Sequence, residues 1–123
     1  MRILYKITTF LILALGVLHL CMTPVLSPGF TSAALWFAGG GVMIVFISFF
    51  NFLLLSDAGR ERLVRVFCNI ANLVGLVFAG AMIVLETRRA RPGLSAWLVM
   101  AILVFETIAA FQYSLRPKLS PSS

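Results

Sequence analysis

The chain has 123 residues, of which 61% are hydrophobic and only 11% charged, and its mean hydropathy is +1.05. A soluble domain carries roughly a quarter charged residues, so this composition excludes a water-soluble globular fold. Ten Lys and Arg against four acids give a net charge of +6. These basic residues form short clusters between apolar runs, which is typical of topology signals and anionic-lipid contacts, not of a nucleic-acid-binding surface.

Four apolar stretches are each long enough to cross a bilayer core of about 30 Å, which takes roughly 20 helical residues. In chain order these stretches cover residues 3–23, 33–55, 66–85 and 94–115. Backbone groups in lipid must pair within their own segment, so all four are predicted helices. The links between them are short, which places neighbouring helices antiparallel. The sequence therefore predicts an all-α fold, an integral membrane up-down-up-down four-helix bundle over residues 1–115, followed by a disordered cytoplasmic tail over 116–123.

The first apolar stretch has a basic start, as a secretory signal does. It is long for a signal, however, and the small residues that follow it lie beyond Pro24 and Pro28. The sequence predicts a helix that is retained.

The distribution of Lys and Arg over the links predicts the orientation. Seven lie on one side: Arg2, Lys6, Arg60, Arg62, Arg65, Arg116 and Lys118. Three lie on the other side: Arg88, Arg89 and Arg91. Both termini are therefore predicted in the cytoplasm, with the protein in a bacterial inner membrane. The rings of Trp36 and Trp97 are predicted at the outer interface, and those of Tyr5 and Tyr113 at the inner one.

Glu106 and His19 are the candidate proton or ligand site. Glu106 lies about 18 Å from the outer boundary of its helix, and His19 about 6 to 10 Å below the same surface. For Glu106 we weigh a protonated carboxyl that hydrogen bonds across helices against a site that exchanges protons or cations. For His19, a neutral imidazole bonded to a carbonyl is favoured over a proton relay with Glu106, and both over metal or haem ligation.

Four amide side chains lie within about 10 Å of the predicted cytoplasmic boundary. They form a candidate interhelical polar cluster: Asn51, Asn69, Asn72 and Gln112. Asn69 and Asn72 are three residues apart and share a helix face. Bridging between helices is the usual role of such amides in membrane bundles.

Small residues on the second and third helices predict close helix packing. The candidate packing residues are Gly39, Gly40, Gly41, Gly75 and Ala79. Packing within one chain and an interface between copies both remain open.

The chain lacks the sequence motifs of catalysis and of cofactor binding. It has no CxxC, HExxH, GxSxG or phosphate-binding loop. Its two cysteines differ in depth by about 20 Å and cannot form a bond within one chain. We therefore expect no enzymatic activity, no cofactor and no metal.

In size and layout the chain resembles the small four-helix bacterial inner-membrane proteins loosely called DoxX-like. The resemblance covers the whole chain but consists of helix count and length, so it implies a fold and a location and carries over no functional residue. The chain is also similar to small multidrug-resistance exporters, which have four helices and one membrane glutamate. Those exporters carry the glutamate in the first helix, whereas here that helix has His19 and the acid is in the fourth.

These observations predict a small non-enzymatic membrane component that associates with itself or docks on a larger membrane complex. The alternative is a proton-coupled carrier or exporter of small lipophilic or cationic molecules, centred on Glu106. A redox or lipid-modifying accessory is a third hypothesis. The predicted partners are the bilayer, with anionic lipids at the basic links, and a second copy or a larger complex, with no nucleic acid.

Overall fold

A computed structural model describes residues 2–89 and 94–115 of the chain. The long helices are α1 (Arg2–Leu26), α2 (Ser32–Leu55), α3 (Arg62–Arg89) and α4 (Leu94–Leu115), with a short 3-10 helix at Asp57–Arg60. All four long helices are long and apolar enough to span a membrane. The prediction of an all-α protein with four such helices is confirmed. The predicted disordered tail lies outside the described residues.

Two helices are longer than the apolar stretches from which they are predicted. α1 continues through Pro24 to Leu26, although the proline lacks the N–H that would bond to the carbonyl four residues earlier. α3 begins at Arg62 and ends at Arg89, so charged residues assigned to the links are helical. Hydropathy marks the lipid-soluble part of a helix, whereas Arg and Glu are themselves good helix formers and extend it into polar surroundings.

A tight turn joins α2 to α3. Ser56 ends α2 and caps the 3-10 helix, with its hydroxyl accepting from the backbone N–H of Ala58 at 3.2 Å. Gly59 is buried against the backbone of Leu54, and a Cβ at this position would collide with the Leu54 carbonyl oxygen. A side chain at position 59 would therefore force the end of α2 and the start of α3 apart.

Two glycines bring α1 and α2 into close contact. A Cβ on Gly16 would lie 2.9 Å from Val45 Cγ2, and one on Gly41 would lie 2.9 Å from Leu20 Cγ and 3.2 Å from the Gly16 carbonyl oxygen. Both positions are too tight for a larger residue without displacing a neighbour. Gly41 is among the predicted packing residues, and Gly16 is not.

The other predicted small residues have different surroundings. A Cβ on Gly75 of α3 would collide with Ile47 of α2, and Ala79 packs against the apolar cluster of Ile12, Ile44 and Leu103. Gly40 lies beside His19, whose Nε2 would be 3.7 Å from an added Cβ. Gly39 is exposed, and an added Cβ would have nothing within 4 Å among the described residues, so it packs against none of them.

The larger of the two buried apolar clusters among the described residues lies where the start of α1 meets the end of α2, the start of α3 and the end of α4. The buried residues of this cluster are Tyr5, Leu54, Leu55, Cys68, Ala109 and Ala110. Around them the outer surfaces of all four helices carry exposed large apolar side chains, such as Phe10, Phe46, Val77 and Phe111. The polar side chains of the core are enclosed within this apolar shell.

Candidate functional site

An amide pair joins α2 to α3. Asn51 donates from Nδ2 to Asn72 Oδ1 at 3.1 Å, and Asn72 donates from Nδ2 to Asn51 Oδ1 at 2.9 Å. Both residues are fully buried. Reciprocal amide bonds of this kind satisfy a donor and an acceptor on each helix at once, which makes this pair a fixed connection between α2 and α3.

Asn51 also connects these helices to α1. The Tyr5 hydroxyl donates to Asn51 Oδ1 at 2.6 Å, and the Cys68 thiol donates to the same oxygen at 3.1 Å. Asn72 uses its second amide hydrogen on the Cys68 carbonyl at 2.8 Å. The amide bridge, defined as Tyr5, Asn51, Cys68 and Asn72, therefore links α1, α2 and α3 through one acceptor oxygen.

Glu106 of α4 is fully buried and meets Thr9 of α1. Thr9 Oγ1 lies 3.2 Å from Glu106 Oε2 and 3.4 Å from Oε1. The same Thr9 hydroxyl donates to the Tyr5 carbonyl at 2.8 Å. The acid pair, defined as Thr9 and Glu106, therefore connects α1 to α4. It is not an ion pair: among the described side chains, the ion pair found is the exposed one between Asp57 and Arg60.

The structure does not bring His19 to Glu106. His19 is half-buried and stacks on Phe37 of α2, with ring centroids 3.7 Å apart and planes at 15°. Thr9, the residue that meets Glu106, lies ten positions earlier in α1, which is about 15 Å along the helix. The candidate proton or ligand site is therefore divided into a histidine on the α1–α2 surface and a carboxyl in the core.

The predicted cluster of four amides is also divided. Asn51 and Asn72 meet in the amide bridge, whereas half-buried Asn69 donates to Ser114 Oγ of α4 at 3.1 Å. Gln112 is exposed on α4 and does not join them. The residues at 69 and 72 are about 60° apart around α3, which is enough to direct one side chain to α4 and the other to α2.

Tyr5 points into the bundle, since its side chain is only 2% exposed and its hydroxyl binds Asn51. Tyr113 is half-buried and packs on Tyr5, with ring centroids 6.1 Å apart. Depth along the helix, on which the interfacial prediction for both tyrosines rests, does not reveal that the Tyr5 hydroxyl has a buried acceptor in Asn51 Oδ1. The interfacial position itself stays a prediction. Trp36 and Trp97 are exposed.

Sequence reasoning misses three members of the amide bridge and the acid pair, namely Tyr5, Thr9 and Cys68. A signal for two of them is present in α1, where the buried residues are Tyr5, Thr9, Ile12 and Gly16. Their spacing of four, three and four residues is that of one helix face. A tyrosine and a threonine on the same face as a tightly packed glycine are expected to point into a membrane bundle.

The arrangement leaves no buried polar atom without a partner among the described side chains. Within residues 2–89 and 94–115, no group of three or more His, Cys, Asp or Glu side chains lies close enough to hold a metal ion. Chemically, the amide bridge offers only neutral hydrogen bonds, and the acid pair offers a carboxyl that can exist with or without a proton. Glu106 is therefore the buried group whose charge could change during function.

Comparisons of this chain with protein families, with curated proteins and with solved structures find no match.

Proposed function

We propose that this chain is a small, non-enzymatic integral membrane protein of the bacterial inner membrane, which associates with itself or docks on a larger membrane complex. The observation that carries the proposal is the combination of a satisfied interior and an apolar exterior. The buried amides of Asn51 and Asn72 and the Tyr5 hydroxyl bind one another across helices, no buried polar atom of the described side chains lacks a partner, and large apolar side chains are exposed along all four helices. An apolar exterior of this extent suits lipid and neighbouring membrane helices.

The proposed topology is up-down-up-down, and it is supported by the order of contacts along the helices. Tyr5, near the start of α1, meets Asn51, near the end of α2. Further along α1, His19 meets Phe37, which lies earlier in α2. α3 and α4 run in opposite directions too. Asn69, near the start of α3, meets Ser114, near the end of α4, and Gly80, further along α3, lies near Met100, earlier in α4. With Lys and Arg concentrated beside the start of α1 and the α2–α3 turn, we place both termini in the cytoplasm.

Reporter fusions test this orientation. A reporter active only outside the cytoplasmic membrane is fused to the C-terminus in one fusion protein and inserted after Glu86 in a second. We expect no signal from the first fusion and signal from the second, because the basic residues favour a cytoplasmic location for both termini. The reverse pattern would overturn the orientation.

Self-association is tested at the exposed glycine of α2. Gly39→Leu adds a bulky side chain where the chain itself has nothing within 4 Å, so the fold should persist while contact with a second copy is blocked. Gly41→Leu is the matched variant, since it forces α1 from α2 within one chain. We expect Gly39→Leu to shift a dimer or larger assembly to monomer in mild detergent, as measured by light scattering. A wild-type protein that is already monomeric would refute self-association and leave docking on a partner.

A second candidate function, a proton-coupled carrier of small lipophilic or cationic molecules, is favoured by one observation. Glu106 is fully buried, and its side chain meets the hydroxyl of Thr9. Ionisable groups are costly in a membrane interior, and those kept there commonly bind protons or ions.

Transport is tested in liposomes with an acidic interior and an enclosed pH-sensitive dye. Addition of a panel of lipophilic cations should release protons through the wild type and through Glu86→Gln, in which an exposed carboxyl is removed. Glu106→Gln should abolish the release. Equal proton release from Glu106→Gln and wild type would exclude a carrier centred on Glu106.

A further inference from the structure

We propose that Thr9 and Glu106 form a proton-binding site that holds α1 against α4, and that loss of the proton opens the α1–α4 seam. This seam is defined by Tyr5 and Thr9 on α1 and by Glu106 and Tyr113 on α4. The inference rests on the membrane bundle of the proposed function, but it requires neither transport nor self-association. It assigns to the acid pair a regulated role in how the helices pack.

The number of hydrogens in the acid pair indicates that the closed seam contains a neutral carboxyl. A threonine hydroxyl has one hydrogen to donate. At 2.8 Å, the Tyr5 carbonyl lies at the usual distance for an O–H···O bond, and donation to the residue four positions earlier is common for threonine in helices. With its hydrogen used there, Thr9 Oγ1 is an acceptor for Glu106. The Thr8 hydroxyl also lies beside Glu106. It likewise has carbonyls of its own helix as acceptors, that of Tyr5 at 3.0 Å and that of Leu4 at 3.2 Å. When both threonines bond to their own helix, the acid pair is satisfied by a carboxyl that carries a proton.

The distances within the acid pair are long for any O–H···O hydrogen bond, and most of all for a charged one. A hydroxyl that donates to an ionised carboxylate typically lies about 2.5–2.7 Å from it. Here Thr9 Oγ1 is 3.2 Å from one carboxyl oxygen and 3.4 Å from the other. A contact of this length is a poor substitute for the hydration of a negative charge.

The groups around Glu106 provide no positive charge to stabilise its ionised form. Tyr5 on α1 and Cys68 on α3 are close enough to Glu106 to interact with its charge. Both of these neighbours are acids, and both hydrogen bond to Asn51 of α2, which does not titrate. On α4 itself, the titratable neighbour on the core side is Tyr113, which packs on Tyr5.

The nearest cations along α1 are directed elsewhere. Arg2 Nη2 lies 3.5 Å from the Leu55 carbonyl, and Lys6 is exposed. An ionised Glu106 would therefore need water or a cation from outside the described core. Either one has to enter between helices.

Such entry disrupts less packing at the α1–α4 seam than at the α1–α2, α2–α3 or α3–α4 interface. α1 packs along its length on α2, where Gly16 and Gly41 bring the backbones together. It meets α4 less extensively, through the acid pair, the tilted contact of Tyr5 with Tyr113, and the apolar clusters that Tyr5 and Ile12 share with α4. The α2–α3 interface is fastened by two amide hydrogen bonds that do not depend on pH.

Distance measurements between spin labels on the full chain in lipid nanodiscs test the proposal. Leu11→Cys and Ile108→Cys place labels on exposed positions two residues from Thr9 and Glu106. Phe49→Cys and Leu73→Cys place a control pair beside Asn51 and Asn72. Exposed Cys21 is replaced by Ser in every sample, and Cys68 is buried and stays unlabelled.

Between about pH 5 and about pH 9, we expect the 11–108 distance to lengthen by several ångström and to broaden, while the 49–73 distance stays constant. In the same background, Glu106→Gln should keep the 11–108 distance short at every pH, because the amide stays neutral. His19 is retained in that variant, so a histidine-driven change would survive it. The proposal is overturned if the 11–108 distance does not respond to pH, if Glu106→Gln leaves the response intact, or if both label pairs change together. If the helix content of the bundle stays constant across the pH range, these outcomes report on the seam and not on unfolding of the membrane bundle.

Discussion

The amide bridge between α2 and α3 and the acid pair between α1 and α4 are equally buried, but they differ in chemistry. In the amide bridge, Asn51 and Asn72 exchange hydrogen bonds of 2.9 and 3.1 Å, and every group involved is neutral at any physiological pH. In the acid pair, Glu106 lies 3.2 and 3.4 Å from the Thr9 hydroxyl, with the Thr8 hydroxyl also beside it. The amide bridge is independent of pH, whereas the acid pair depends on whether Glu106 carries a proton.

The difference follows from how each polar group is satisfied. A primary amide has both donors and an acceptor, so two of them can satisfy each other without outside help. A carboxyl has a donor only while it is protonated. In a membrane interior, where water is not available to replace a lost partner, that distinction separates a structural connection from one that can be switched.

The largest effect is expected from Asn51→Ala in the amide bridge. The variant leaves the donors of Tyr5, Cys68 and Asn72 without their shared acceptor. Buried unsatisfied groups cost about 1–3 kcal/mol each, and we expect the free energy of unfolding to fall by about 3 kcal/mol. Unfolding in mixed detergent, followed by circular dichroism, measures it.

Asn69→Ala is the control for this prediction. Asn69 is half-buried and bonds to Ser114, whose hydroxyl keeps its own bond to the Ala110 carbonyl. The expected loss is below about 1 kcal/mol. Equal losses for the two variants would show that the amide bridge stabilises the fold no more than the bond between Asn69 and Ser114 does.

Gly75→Leu should have the next largest effect, because it separates the helices that the amide bridge joins. An added side chain collides with Ile47 of α2. Overpacking of this kind typically costs about 1–3 kcal/mol, and we expect about 2 kcal/mol here. Gly39→Leu, at an open position, should leave the same unfolding curve unchanged. A Gly75→Leu protein as stable as the wild type would contradict the packing of α3 on α2.

Thr9→Val examines the acid pair at nearly constant volume. It removes the hydroxyl that meets Glu106 and leaves a neutral carboxyl without this partner. We expect a loss of about 1 kcal/mol in the free energy of unfolding at mildly acidic pH. Thr9→Ser keeps the hydroxyl and should lose less. If Thr9→Val and Thr9→Ser are equally destabilised, the loss comes from the methyl group and the pairing with Glu106 contributes nothing.

The smallest effect at mildly acidic pH is expected from Glu106→Gln, because the amide keeps the shape and stays neutral. The sign of the difference in free energy of unfolding between the variant and the wild type changes with pH. The neutral carboxyl is the form that holds the seam, so wild-type stability is present at low pH and is lost as the pH rises through the titration of Glu106. The variant should show no such loss and should be the more stable protein at alkaline pH. Unfolding curves collected across the pH range measure the crossover, and parallel pH dependence in both proteins would refute it.

How much the sequence can predict is clear from Glu106 and its neighbours. Hydropathy predicts four helices and gives the depth of Glu106 along α4, because both depend only on position in the chain. Depth does not tell which way a side chain points, and His19, which is grouped with Glu106 as a candidate site, faces Phe37. The actual partner is Thr9, which the sequence does not single out because threonine carries no charge and is common in membrane helices.

The same limitation explains Tyr5 and Gln112. Distance from the helix end predicts an interfacial Tyr5, yet rotation about α1 directs it to Asn51. Gln112 lies at a depth similar to that of Asn69, yet rotation about α4 leaves it exposed. Helix rotation is set by which small and polar residues pack together, and that is a property of all four helices jointly.

The most direct test of the central claim, that Glu106 is neutral in the closed seam, is the infrared carbonyl band of a protonated carboxyl at neutral pH. Asp57, Glu61 and Glu86 are exposed and are shared by the wild type and Glu106→Gln, so the difference between the two spectra isolates Glu106. We therefore expect a protonated-carboxyl band in the wild type that is missing from Glu106→Gln, and that disappears from the wild type as the pH is raised. A wild-type spectrum at neutral pH that lacks this band would contradict the account.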